Sequence, residues 1–304
     1  MFLRPRFGGV LFVLDSVVKV WYFDKMMKTR WVVENFTDSE DYKNLVDAIR
    51  ANGNDCYVIG RRNNFDFNPT GYAENDCVMF QGSIQMTRHC RKVLPKGCRP
   101  IAFCTEENFL CSKYYPRIQE FLFNDKYKLV PVSELKAHMF DFYKEFGKEA
   151  MIYIRPDRGD KPFTGQLLDM QDFERFWNNN VVCTAEDQDL VIVSTPKTIQ
   201  GEWRYVCSHH KEIIAQSTYQ YQGQRTYIPF APPKATELVN NVLATGYFPD
   251  PVFTIDICQD ADGNFWMMEY NSFSSAGLYA CNKVPIAKRV SEIAEAEYHK
   301  TLPA

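Results

Sequence analysis

With 304 residues the chain exceeds the usual size of a single core, so two or three subdomains around a shared cleft are expected. Hydrophobic residues at 45% and charged residues at 24% exclude a disordered or fibrous protein. A net charge of −3 gives no global basic field for nucleic acid, and the ten cysteines contain no Cys-x-x-Cys pair and match no familiar zinc module. Reduced, mostly buried thiols in a cytoplasmic protein are the expectation.

The first stretch, "MFLRPRFGGVLFVLDSVVKVWYF", joins arginines to an apolar run in the manner of a signal peptide. Asp15 and Lys19 interrupt it, however, and no small-residue cleavage site follows. It is also too short and too charged to span a bilayer. Because Met26 and Met27 directly precede a strand-helix pattern, residues 1–26 are expected to stand outside the fold.

"TRWVVEN" reads as a short buried strand. "DSEDYKNLVDAIRANG" reads as a helix with Ser39 as N-cap, Tyr42, Leu45, Val46 and Ile49 on one face, and Gly53 closing it. The strand "DCYVIG", then "DCVMF", a helical "IQMTRHCRKVL" and "RPIAFC" extend this into an α/β layer over about 27–120. No Gly-x-Gly-x-x-Gly is present, so this layer carries no dinucleotide fingerprint and is expected to wall the cleft. A helix over "SELKAHMFDFYKEFG" leads to the strand "AMIYIRP" and the loop "PDRGDKPFTG". A helix near "QDFERFW", the strand "DLVIVST", an antiparallel pair "EWRYVCS" and "EIIAQSTY", a helix over "PKATELVNNVLATG", a hairpin and a C-terminal amphipathic helix follow.

Three constellations carry chemistry. In the hairpin "VFTIDICQDADGNFWMMEYNSFSSAG", Glu269 and Asn271 lie two apart and share a strand face. The separation of 13 from Asp256 allows that residue to come opposite them. Two carboxylates and an amide oxygen suit Mg²⁺, although a polar hairpin face that binds nothing has the same spacing. The stretch "YIRPDRGDKPFTG" offers Arg155, Arg158 and Lys161 beside Gly159 and Gly165, a combination of cations and flexible backbone that suits a polyphosphate or a solvated loop. In "VIVSTPKTIQGEWRYV" an apolar strand crosses over to Glu202 and Arg204, which share a face. His209 and His210 fall at a turn and read as exposed turn residues.

Taken in order, these pieces resemble the ATP-grasp superfamily. "RP" at Arg155–Pro156 stands where D-alanine ligases have "KP", "QGE" ends at the hinge acid Glu202, and Asp256, Glu269 and Asn271 match the metal triad. "RPDRGDKPFTG", "EWR" and "EYNSFSSAGLY" are similar to a divergent Arg/Lys-type clade frequent in bacterial and phage genomes.

The resemblance implies an α/β and α+β fold: a Rossmann-like pre-ATP-grasp domain over 27–120, then a small lobe over 121–190 and a large lobe over 191–304 that clamp ATP. It implies adenine against Val193, Ser194, Thr195, Lys197 and Ile199, ribose on Glu202, and phosphates on Arg155 and Lys161. Magnesium would sit on Asp256, Glu269 and Asn271. The implied activity is a carboxylate-amine ligation through an acyl phosphate, with Arg204 as the cation that steadies it. A non-catalytic nucleotide-binding protein and a kinase-like phosphotransferase are the alternatives. The substrates stay open, with "FQGSIQMTR", "YQYQGQRTY" and "NSFSSAGLY" as the loops that could shape an acceptor pocket for a small molecule or peptide. Neither membrane nor nucleic acid is implied. Replacing Asp256 by Asn or Glu269 by Gln is expected to remove ligand charge while largely preserving the fold.

Overall fold

A computed structural model describes residues 28–35, 40–60 and 67–300, together with the backbone of two short strands, β1 (Val10–Leu14) and β2 (Val17–Trp21). These two pair antiparallel as a separate sheet. The rest of residues 1–26, which the sequence sets outside the fold, and the N-cap expected at Ser39 lie outside the described residues. Next, β3 (Arg30–Glu34), α1 (Glu40–Ala51), β4 (Cys56–Ile59), β5 (Cys77–Gln81), α2 (Ile84–Val93) and β6 (Arg99–Ile101) build a parallel sheet in the order β4-β3-β5-β6. A parallel sheet must be covered on both faces. Trp31, Val33 and Met79 meet Leu45 and Ile49 of α1 on one side, and Val32, Val78 and Phe80 meet Met86 and Cys90 of α2 on the other. Helix α2 begins where the Ser83 hydroxyl accepts from the Met86 N–H at 3.0 Å.

Short helical turns, among them α3 (Cys111–Tyr114), lead to a second sheet. It contains β7 (Tyr127–Pro131), β8 (Met151–Pro156), β9 (Gln166–Asp169) and β10 (Leu190–Ser194), antiparallel in the order β7-β10-β8-β9. Helices α4 (Val132–Ala137), α5 (Met139–Phe146) and α6 (Phe173–Trp177) pack Leu135, Phe142, Phe146 and Phe173 against Ile152, Ile154, Val191 and Val193. The single helix expected over "SELKAHMFDFYKEFG" is two, because His138 leaves helical geometry at φ −119° and ψ 30°.

The third sheet is β11 (Ile199–Ser208), β12 (Glu212–Tyr221), β13 (Gln224–Ile228), β14 (Val252–Asp260) and β15 (Phe265–Ser272), antiparallel in the order β13-β12-β11-β14-β15. Strand alternation gives it two chemical faces. Trp203, Tyr205, Phe253, Ile255 and Ile257 pack on Ala235, Val239 and Val242 of α7 (Pro233–Ala244), while Glu202, Arg204 and Asp256 point the other way. The last helix, α8 (Lys283–Lys300), places Ile286, Val290 and Ile293 on one stripe, wedged between the first sheet and Val206, Ala215 and Val252 of the third. Among the described residues no helix is long and apolar enough to cross a membrane. All ten cysteines are free and nine are buried.

The first and third sheets are also joined through the loop before β14. Asp250 Oδ2 accepts from the Thr105 N–H at 2.9 Å, Asn108 Nδ2 donates to the Pro249 carbonyl at 2.8 Å, and the Tyr247 hydroxyl donates to the Asn108 carbonyl at 2.7 Å. Burial pushes the Asp250 carboxyl up to about 6 against the opposing pull of its hydrogen bond to Thr105. Its native value thus stands above the unfolded one, so the group favours the fold while protonated. That contribution fades as pH rises from about 4 toward 6. Asp250→Asn should flatten the stability profile in this window: by urea unfolding, the wild type should lose up to ~3 kcal/mol relative to the variant between pH 4 and 6.5. Parallel profiles would assign the titration elsewhere.

Candidate active site

Two β-bulges aim the polar face of the third sheet. In the β14–β15 pair, Asp256 faces Glu269 but Ile257 faces Met267, which leaves Met268 as the extra residue. Without that step Met267 and Glu269 would share a face. With it, Met267 enters the apolar core while Glu269 and Asn271 turn to the site. The Met268 carbonyl accepts from Arg155 Nη1 at 3.3 Å. In the β11–β12 pair, Glu202 faces Gln220 and Trp203 faces Thr218, so Tyr219 is extra, and its hydroxyl donates to Glu202 Oε2.

Arg204, Asp256 and Glu269 form a row across three adjacent strands. Arg204 clasps Asp256 with two bonds, Nε to Oδ1 at 2.8 Å and Nη2 to Oδ2 at 2.6 Å, and its Nη1 donates to the Gly277 carbonyl at 2.8 Å. Asn271 Nδ2 bridges the two acids, 3.1 Å from Asp256 Oδ2 and 3.0 Å from Glu269 Oε1. From β8 of the second sheet, Arg155 Nη2 donates to Glu269 Oε2 at 2.7 Å and Nη1 to the Tyr115 hydroxyl at 3.3 Å. Lys161 Nζ reaches Glu269 Oε1 at 3.4 Å.

The two acids differ electrostatically. Burial works to raise Glu269, but Lys161 and then Arg155 outweigh it and hold the carboxyl below the ordinary range. Burial raises Asp256, with Arg204 opposing; the forked geometry nevertheless fixes an ionised pair at neutral pH. Burial also raises Glu202, against the hydrogen bond from Tyr219.

A cleft of about 460 Å³ opens between the second and third sheets. Of the residues singled out from sequence, Arg155, Lys161, Thr195, Lys197, Ile199, Glu202 and Glu269 line it. Asn271 lines a neighbouring cavity of about 680 Å³ that shares Lys161 with the cleft. Asp256 and Arg204 lie beneath, with side chains 2% and 8% exposed. Val193 does not line the cleft: alternation along β10 turns its side chain into the core of the second sheet. Ser194 is buried and donates to Asn124 Oδ1 at 3.3 Å. Lys197 lines the cleft but its Nζ donates to the Phe123 carbonyl and Asp125. His209 and His210 sit at the β11–β12 turn and line neither cavity.

Sequence reasoning missed an aromatic set. Tyr219 and Tyr279 stack at 4.8 Å and 14°, Tyr227 stacks on Tyr279 at 5.7 Å and 10°, and the Arg204 guanidinium lies 4.9 Å from the Tyr279 ring centre. The tyrosines of "YQYQGQRTY" and "GLY" were visible as loop residues, but no spacing rule brings them together. The cleft is also closed by Tyr153 and Gly165, where a Cβ would stand 2.7 Å from the Tyr153 hydroxyl.

Asp256, Glu269 and Asn271 fit a hard divalent cation in donor chemistry: two carboxylates, and an amide whose 180° rotation would aim Oδ1 where Nδ2 now points. Among the described residues no group of three or more His, Cys, Asp or Glu could hold a metal. Two acids and one amide therefore need further oxygens from outside the protein.

Cations from one antiparallel sheet meeting acids from another across a cleft define an ATP-grasp architecture. An ATP-grasp domain family, the third of the Arg/Lys-type clade, matches residues 117–293, and the chain belongs to it. Among solved structures, D-cycloserine synthetase DcsG is similar at a TM-score of 0.60 and 13% identity, covering 88% of this chain and 99% of that one. The macrocyclase MdnC of Microcystis aeruginosa MRC, bound with precursor peptide MdnA, gives 0.53 and 15%, covering 88% and 99%. A RimK domain ATP-grasp protein from Sphaerobacter thermophilus DSM 20745 gives 0.52 and 12%, covering 90% and 100%. These are likenesses of fold. No curated protein matches the sequence.

The buried pair alters one expectation. Asp256→Asn removes more than ligand charge, because it leaves Arg204 buried against a neutral partner. The variant should lose about 3–5 kcal/mol in urea unfolding, and Arg204→Met with Asp256→Leu should recover much of it. A loss below ~1 kcal/mol would show that the pair does not anchor the sheet.

Proposed function

We propose that the protein is an ATP- and Mg²⁺-dependent ligase that joins a carboxylate to an amine through an acyl phosphate. The observation that carries this reading is the meeting of Arg155 and Lys161 from one sheet with Glu269, Asn271 and Asp256 from the other across a single cleft. In this reading residues 27–120 are the Rossmann-like pre-ATP-grasp domain, 121–190 the small lobe and 191–304 the large lobe, with 1–26 outside.

Adenine lies against Thr195, Ile199, Phe123 and Leu167, whose side chains or backbone line the closed end of the cleft. Glu202 accepts from the ribose hydroxyls, held in place by the Tyr219 hydroxyl. Arg155 and Lys161 hold the polyphosphate, Arg155 from a fixed position and Lys161 from the Asp157–Gly165 loop. Asp256, Glu269 and Asn271 would hold Mg²⁺, which supplies neutralising charge to the phosphates. With no nucleophilic side chain required, catalysis is positioning and electrostatic stabilisation of the transferred phosphoryl group.

Two of the three segments expected to shape an acceptor pocket meet at the neighbouring cavity: Gly82, Ser83, Gln85 and Arg88 from one, Ser275 and Gly277 from the other. The substrate carboxylate enters there, next to Lys161 and Asn271. Arg204 lies at the base of this region and is the cation for the anionic intermediate. Three of its five N–H groups are committed to Asp256 and Gly277, which leaves two donors.

The test is ADP release with pooled amino acids and peptides, with hydroxylamine in place of the amine. A hydroxamate should form with the correct carboxylate, and Glu269→Gln should reduce it at least ~100-fold, the scale lost with one transition-state contact. A stable phosphorylated alcohol without hydroxamate would make the protein a phosphotransferase. Nucleotide binding without ADP release from any acceptor would make it a binding protein.

A further inference from the structure

Every oxygen of the two candidate metal carboxylates already accepts a hydrogen bond. Glu269 Oε2 is held by Arg155, Glu269 Oε1 by Asn271 and Lys161, and both Asp256 oxygens by Arg204, one of them also by Asn271. Arg155, Lys161 and Arg204 balance Asp256, Glu269 and Glu202 in formal charge. A bare divalent cation therefore meets no net negative field and would have to displace a cation to reach Glu269. The donor set is also short of the six oxygens that Mg²⁺ takes.

The two cations on Glu269 are held very differently. Arg155 is 10% exposed and fastened at three points, the Tyr115 hydroxyl, the Met268 carbonyl and Glu269. Lys161 is 43% exposed and touches Glu269 by one 3.4 Å contact. The loop beneath Lys161 is pinned, since Asp160 is bound by Arg88 at 3.1 Å and by Arg158 at 3.0 Å. Only the lysine side chain is free to swing, and it lines the same cleft that would receive the polyphosphate.

We infer that Lys161 is a placeholder for the metal: it neutralises Glu269 until a polyphosphate draws it away, so that a divalent cation is admitted only together with the nucleotide. This rests on the reading of the cleft as a metal-nucleotide site. The nucleotide performs both halves of the exchange. Its negative charge offers Lys161 a stronger partner than the shared Glu269, and its phosphate oxygens complete the coordination that two acids and an amide leave unfinished. Arg155 stays in place as the permanent cation.

Mn²⁺ binding followed by electron paramagnetic resonance tests this without turnover. The wild-type protein should bind Mn²⁺ at least about tenfold more tightly with ADP or a non-hydrolysable ATP analogue than alone. Lys161→Met, at a half-exposed position that keeps its fold, should bind Mn²⁺ alone about tenfold more tightly than wild type while its nucleotide affinity falls. Tight Mn²⁺ binding to the wild type without nucleotide, or an unchanged Mn²⁺ affinity in Lys161→Met, would overturn the placeholder role and leave the metal site standing. No Mn²⁺ binding even with nucleotide would overturn the metal site itself.

Discussion

The buried pairing of Arg204 with Asp256 sets the condition that the rest of the site obeys. Removing two charges from water costs several kcal/mol per ion, and the fold can tolerate this only where geometry and further hydrogen bonds compensate. Here the fork is complete, the remaining guanidinium edge meets the Gly277 carbonyl, and Asn271 attends the second Asp256 oxygen. The third sheet can therefore present acids at its centre without collapsing their strands. Glu269, one strand further on, is stabilised from outside its own sheet by Arg155 and Lys161. That dependence couples the two lobes: the same groups that hold the lobes together are those that would have to rearrange around a ligand.

The bulges convert a regular sheet into an asymmetric one. A β-strand with strict alternation cannot send Met267 into the core and Glu269 into the cleft, because they lie two apart. The extra residue at Met268 resolves this, and its carbonyl serves Arg155. Tyr219 does the equivalent at the other edge, where the displaced residue supplies a hydroxyl to Glu202 and a ring to the stack over Arg204. Both bulges lie next to the site, where a strand must re-aim side chains rather than extend the ladder. Behind the site, α8 joins the first and third sheets through one apolar stripe, which fixes the wall that carries Gly82, Ser83 and Arg88 relative to Ser275 and Gly277.

The sequence by itself determined the alternation of elements, the hairpin that sets Asp256 against Glu269 and Asn271, and the shared face of Glu202 and Arg204. Strand period and turn chemistry are local properties, and residues a fixed number of steps apart carry that information without reference to the rest of the chain. The order of the motifs further identified the ATP-grasp family, since order survives where identity does not. Tertiary structure alone decided which way β10 turns Val193, how Lys161 and Glu269 come to share a contact across 108 residues, and that three tyrosines from separate segments stack over Arg204. It also decided that Arg204 is buried against Asp256 rather than standing in the cleft. Each of these depends on how one sheet packs on another and on where a bulge shifts the register, and neither packing nor register is encoded in the spacing of any single motif.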